Sequence, residues 1–315
     1  LMIRRPPRST QSRSSAASDV YKRQRSSRRR RTANLATALA IGLAGCSCRP
    51  QPEPQPDPEP QRWRPRAEAV WLYQLSQPPE APAAGVEVYV LDLFDTPAET
   101  VTMLRQSGAR VVAYFSAGSW EQWRPDAADY PPSVLGAAYE GWPGERWVDI
   151  RALTSLAPIL RARLDLAVGK GFDGVDPDNV DGHANVTGFP LTGNDQLEFN
   201  RWLAREAHAR GLAVGLKNDP QQARELEPSF DFAISESCFA GGWCGLWQPF
   251  TVAGKPVLAI EYTDEFTEPA FLQQVCPAVP AGLHAVLCRR ELDGWTLRCG
   301  AAGRMNTASG TPSPR

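Results

Sequence analysis

Two aspartates, Asp176 and Asp178, stand in the run Gly-Phe-Asp-Gly-Val-Asp-Pro-Asp-Asn-Val-Asp that spans residues 171 to 181. In an extended chain, side chains at alternate positions point the same way, so this run offers paired carboxylates on one wall. Such pairs do acid–base work and, when one member is ionised, nucleophilic work. A calcium loop is the competing reading, and it fits poorly. Counted from Asp176, Val180 and Asp181 fall where an oxygen ligand and a glycine belong, and Thr187 stands in place of the closing glutamate.

The elements that must position these acids are legible as alternating patterns. Short apolar runs rich in β-branched and aromatic residues are expected as eight strands: 69–74, 86–92, 110–116, 172–176, 212–217, 230–236, 257–261 and 283–287. Amphipathic stretches at 97–107, 156–169 and 195–210 are expected as helices. Gly108, Gly171 and Gly211 follow these stretches, where a left-handed cap is needed. No Gly-x-Gly-x-x-Gly turn follows the first strand, so the alternation predicts an α/β fold of one domain, a (β/α)8 barrel, rather than a doubly wound sheet.

In such barrels the reacting groups sit at the C-terminal ends of the strands. The polar residues there are Asp92, Asp95, Tyr114, Ser116, Asp176, Asp178, Asn179, Asp181, Lys217, Asn218, Asp219, Glu236, Glu261 and Tyr262. Carboxylates and aromatics without a Cys-His or Ser-His pairing suit attack at an acetal better than acyl transfer. Trp120, Trp123, Trp142, Trp147, Trp243 and Trp247 add aromatic faces near the expected mouth. With three histidines and no Cys-x-x-Cys pair there is no recognisable zinc pattern, and no metal or cofactor is expected.

The formal net charge of -1 averages two unlike regions. Residues 1–31 hold 11 basic side chains and one acid, leaving 23 basic and 34 acidic residues in 32–315, a net charge of -11. A region that acidic is a poor nucleic-acid binder and suits a neutral or cationic ligand. Residues 1–27 read as a disordered or artefactual extension. Residues 28–46 read as a lipoprotein-type signal: arginines, an apolar stretch from Leu35 to Leu43, then Leu-Ala-Gly-Cys ending at Cys46. Cys46 would carry the lipid, giving an exported protein that meets a membrane only through that anchor; the alternative is a secreted protein whose export signal is cleaved nearby, with Cys46 incidental. Alternating prolines over 50–60 predict an extended spacer, assigned to 47–65, before a barrel over 66–300 and a disordered tail over 301–315. Cys238 and Cys244 are placed to close a short loop, and Cys276, Cys288 and Cys299 leave one further bridge of open pairing.

From Trp71 to Cys299 the chain resembles glycoside hydrolase family 114, endo-α-1,4-polygalactosaminidases with a barrel fold. The matching residues are Tyr73-Gln74-Leu75, Val90 to Asp95, Tyr114 to Ser119 with Glu121, Trp123, Arg124 and Asp126, then Gly171 to Asp181, Gly215 to Asp219, Ser235 to Phe239, and Glu261-Tyr262. The resemblance implies a retaining hydrolase with Asp178 as nucleophile, Asp176 as second choice, and Glu236 as acid/base. It also implies sugar contacts from Asp92, Tyr114, Trp120, Asn179, Asp181, Lys217, Asn218, Glu261 and Tyr262. The expected substrate is a polysaccharide of cationic amino sugar. The alternatives are a hydrolase of another glycan and a non-catalytic carbohydrate-binding lipoprotein.

Overall fold

The computed structural model describes residues 62–300. The expected extension, signal, tail and most of the spacer, with Cys46 and Cys48, lie outside the described residues. The spacer gives way to packed chain by Arg62, whose Nε donates to Asp231 Oδ1 at 3.0 Å, and Trp63 tilts against Trp71 with ring centroids 6.3 Å apart.

All eight expected strands are present. They are β1 (Trp71–Tyr73), β2 (Val88–Asp92), β3 (Arg110–Ser116), β7 (Gly174–Asp178), β8 (Ala213–Lys217), β9 (Phe232–Glu236), β10 (Val257–Tyr262) and β11 (Leu283–Cys288), each parallel to the next. A ninth, β12 (Thr296–Arg298), runs antiparallel to β11. It brings the two edges together: Gln74 bridges Asp293, Leu75 N donates to Leu292 O, and Arg298 Nη2 donates to Trp71 O. The barrel is nearly closed, with an antiparallel strand and loop at its seam.

Helices α1 (Ala98–Gln106), α2 (Leu153–Lys170) and α3 (Gly193–His208) cross back over the sheet. Gly108, Gly171 and Gly211 have φ of +92°, +88° and +74°, the left-handed geometry the sequence demanded. Helix α3 starts two residues before Asp195 because Thr192 and Asp195 cap it reciprocally.

Strand residues alternate between two apolar layers. Tyr89, Leu91, Val111, Ala113 and Phe115 face the helices, and Val88, Val90, Val112, Phe232, Ile234, Leu258 and Ile260 fill the barrel interior. Gly215 belongs to this inner set, and a Cβ there would lie 2.3 Å from the Phe232 ring, so its smallness lets that ring fill the barrel. Continuing the inner parity upward gives Tyr114 and Ser116 on β3, Asp176 and Asp178 on β7, Lys217 on β8, Glu236 on β9 and Tyr262 on β10. That single phase assembles the site.

The sequence reading did not anticipate the small antiparallel sheet between β3 and α2. Its strands are β4 (Ser119–Glu121), β5 (Leu135–Ala138) and β6 (Glu145–Val148), in the order β4-β6-β5.

Candidate active site

Lys217 is the centre of the arrangement. Its side chain is 1% exposed and its Nζ lies 3.3 Å from Asp178 Oδ1, 3.3 Å from Glu236 Oε2 and 3.9 Å from Asp176 Oδ2. Burial alone favours a neutral amine, but Asp178, Glu236 and Asp176 hold Lys217 protonated, well above the ordinary lysine value. Tyr73, on β1, bridges across the barrel, accepting from Lys217 Nζ at 3.0 Å and donating to Asp176 Oδ2 at 2.8 Å.

The three carboxylates differ in depth. Asp176 is fully enclosed and its pKa is pushed up to about 6 by burial, with Lys217 pulling the other way. Asp178, one layer higher, is 16% exposed and accepts from Tyr114 Oη at 2.9 Å. Glu236 is 27% exposed. It accepts from Asn218 Nδ2 at 2.9 Å and from the Tyr262 hydroxyl, while its backbone N–H donates to Asn218 Oδ1 at 2.8 Å. Against the effect of burial, Lys217, Tyr262 and Asn218 hold Glu236 below the ordinary glutamate value. Asp178 and Glu236 therefore form the pair that faces solvent, and Asp176 lies behind them.

A cleft of about 340 Å³ opens above Glu236, lined also by Asp181, Asn218, Asp219, Trp243 and Leu246. Burial first, then the charge of Asp178, raises Asp181 to about 7; burial and Asp181 raise Asp219 to about 8. A depression of about 400 Å³ beside α1, lined by Thr102, Arg105 and Arg110, lies at the start of β3, the end of the barrel opposite these acids. Trp243 reaches the cleft from the loop that the Cys238–Cys244 disulfide closes; among the described residues a second bridge joins Cys276 to Cys299, and Cys288 is free and buried.

Residues 53–303 match the model of glycoside-hydrolase family GH114. A crystal structure of Ega3 of Aspergillus fumigatus, in complex with galactosamine, matches with a TM-score of 0.71 at 34% identity, over 76% of this chain and 98% of that one. The chain belongs to glycoside hydrolase family 114. It is therefore a glycoside hydrolase. The glycoside hydrolase domain of PelA from Pseudomonas aeruginosa shares the fold at 18% identity, with a TM-score of 0.56 over 73% of this chain and 98% of that one. An uncharacterized protein of Deinococcus radiodurans is 28% identical over 240 residues, 66% of this chain and 74% of its own length.

Within this family 114 barrel, the residues expected at the site divide sharply. Asp178, Glu236, Lys217, Asn218, Tyr114, Tyr262 and, in the layer behind, Asp176 come together, with Asp181 on the cleft wall. Four expected sugar contacts are engaged elsewhere. Asp92 is buried against Arg124, with Nη2 2.8 Å away, and accepts from the backbone of Phe94 and Asp95, so it caps its own turn. Glu261 has the outward parity of β10 and accepts from Phe239 N at 2.9 Å and Ala240 N at 3.1 Å, fixing the loop after Glu236. Trp120 is partly buried and donates from Nε1 to Ala127 O. Asn179 is also buried, and its amide points away from the cleft into the protein.

Tyr73, Ser119, Tyr139 and Glu145 were missed as site residues. Tyr73 ends β1, the kind of position from which reacting groups project in such barrels. Tyr139 stacks on Trp147 at 4.8 Å, and its hydroxyl pKa is raised by burial and then by Asp178, Asp181, Glu145 and Glu236, which places it beside the acidic mouth. No periodicity in the sequence marks Ser119 or Glu145, which reach the site only through the small sheet.

Proposed function

We propose that this family 114 hydrolase cleaves an α-1,4-linked galactosaminoglycan or a related amino-sugar exopolysaccharide by a retaining mechanism, with Asp178 as nucleophile and Glu236 as acid/base. The observation that carries the reading is the seating of both partly exposed carboxylates on one ammonium. The oxygens of Asp178 and Glu236 that face Lys217 Nζ are each 3.3 Å from it, hence no more than twice that distance apart. That limit on their nearest oxygens accommodates the roughly 5–5.5 Å separation of retaining carboxyl pairs.

In the first step Asp178 attacks the anomeric carbon while Glu236, which must first take up a proton against the pull of Lys217, Tyr262 and Asn218, passes it to the departing glycosidic oxygen. In the second, Glu236 takes a proton from water, whose oxygen displaces Asp178 from the sugar. Lys217 offsets the charge that the two acids share, and Tyr114 and Tyr262 hold their outer oxygens in place.

The amino-sugar preference is supported by the net charge of -11 over residues 32–315 and by Asp181 on the cleft wall. An ammonium group seated beside Asp181 would hold that acid ionised. The galactosamine bound to Ega3 accords with this preference. We further infer that the enzyme works outside the cell, tethered through Cys46, in keeping with the Leu-Ala-Gly-Cys motif and the two disulfides. Incubation of the purified chain with partially deacetylated α-1,4-galactosaminoglycan is expected to release oligosaccharides detectable by mass spectrometry. Asp178→Asn and Glu236→Gln should each lower the rate by about 10³-fold or more; full activity in both folded variants would refute the pair.

A further inference from the structure

The small sheet inserted after β3 has no partner in the proposed chemistry, yet it sends two polar side chains into the wall behind Asp178. Ser119 opens β4 and Glu145 opens β6. Both are buried, and the Ser119 hydroxyl donates to Glu145 Oε1. Between them and β7 lies Asn179, the residue that follows Asp178. Its Nδ2 is 2.9 Å from Ser116 Oγ, 2.9 Å from Ser119 Oγ and 3.0 Å from Glu145 Oε1.

Asn179 has φ of +60°, a left-handed conformation that costs a residue with a Cβ free energy and persists only where neighbours hold it. The backbone beside it is held too. Asp178 O accepts from Ala117 N at 2.9 Å and Gly118 N at 3.2 Å. A Cβ on Gly118 would lie 1.7 Å from Asn179 O, so the two chains cross where only glycine fits. The bend at Asn179 sets the direction in which β7 ends, and with it the aim of Asp178.

We propose that Glu145, Ser119 and Asn179 form a positioning unit that aims Asp178 at the anomeric carbon, and that supplying this unit is what the inserted sheet does for the reaction. The proposal rests on the reading of Asp178 as a reacting carboxylate. Glu145 suits the task whether or not it carries a proton, because a neutral carboxylic acid keeps an oxygen that accepts from Asn179. Burial raises its pKa to about 7, with the bonds from Ser119 and Asn179 pulling down and the charges of Glu121 and Asp178 adding to the rise. None of the three touches the sugar in this scheme, so their loss should reach the chemical step and spare binding.

The test compares wild type, Asn179→Gly, Glu145→Ala and Glu145→Gln as full chains on the galactosamine polymer, with folding checked by circular dichroism. Asn179→Gly is the informative variant, since glycine accepts the left-handed bend and removes only the amide. Misplacing a reacting group by about 1 Å costs roughly 100-fold in rate. The expected result is a kcat lower by about that factor in Asn179→Gly and Glu145→Ala, with KM within about twofold of wild type, and recovery in Glu145→Gln to within about threefold. Wild-type kcat in Asn179→Gly overturns the proposal, as does a change confined to KM. If Glu145→Ala does not fold, Asn179→Gly and Glu145→Gln decide by the same criteria. A wild-type chain that cleaves no amino-sugar polymer would instead refute the substrate reading, and it would show before any variant is measured.

Discussion

Asp178 and Glu236 occupy equivalent places, each the last inward-facing residue of its strand, but the walls behind them differ. The aspartate wall is backed by side chains buried in the small sheet, and its direction is fixed through the backbone bend at Asn179. The glutamate wall is held at the carboxylate by Tyr262 and Asn218 from the ends of the flanking strands. It too is followed by a left-handed residue, Ser237 at φ +57°, and its loop is tied down by Glu261 and the Cys238–Cys244 bridge. Both carboxylates are gripped at the tip, Asp178 by Tyr114 and Glu236 by Tyr262 and Asn218, but the aspartate wall is also backed by the buried side chains of an inserted sheet. This difference suits a pair in which one member must strike a carbon along a line and the other must gain and lose a proton.

Lys217 is shared by both walls, so its removal should have the larger effect. Lys217→Met leaves Asp176, Asp178 and Glu236 facing one another without a counter-charge. Breaking a buried ion pair on one side costs about 3–5 kcal/mol, so a marked drop in the thermal midpoint is expected. Activity should fall by roughly 100-fold or more, as when preorganised charge is lost from a site. A variant with wild-type melting and turnover would show that the two walls are independent.

Tyr262→Phe removes one donor from Glu236 alone and should cost about 10-fold or less, its value lying in the direction of a pH shift. Tyr262 helps hold the pKa of Glu236 below its ordinary value, so the variant's Glu236 keeps its proton to higher pH. If Glu236 is the acid, the limb on which kcat/KM falls with rising pH moves upward. Movement of the opposite limb, on which the rate climbs with pH, would make Glu236 the nucleophile and exchange the roles of the two walls.

The strands were legible because most of their residues are buried on both faces, leaving continuous apolar runs such as Val88–Asp92 and Val257–Tyr262. The candidate acids were legible from the two-residue spacing of the aspartates and from the polar ends of apolar runs, whereas the pairing of Asp178 with Glu236 came from the family resemblance. The phase of each strand was harder to read. Glu261 and Tyr262 end the same run, and only the inward parity of β10 separates the residue that touches Glu236 from the one that caps a loop. Asp92 shows a different difficulty: Arg124, distant in sequence, folds back to pair with it. The sheet of β4, β5 and β6 left no signal because its strands are three or four residues long, and Leu-Gly-Ala-Ala has little alternation to detect. Ser119 and Glu145 become visible as a unit only once that sheet has folded against Asn179.

The most direct test of the central claim is the anomeric configuration of the first product, read by proton NMR within the first minutes of polymer cleavage, before mutarotation mixes the forms. A double displacement between Asp178 and Glu236 predicts that the new reducing end appears as the α-anomer. Initial release of the β-anomer would mean that water attacks the sugar directly, and would contradict the covalent role assigned to Asp178.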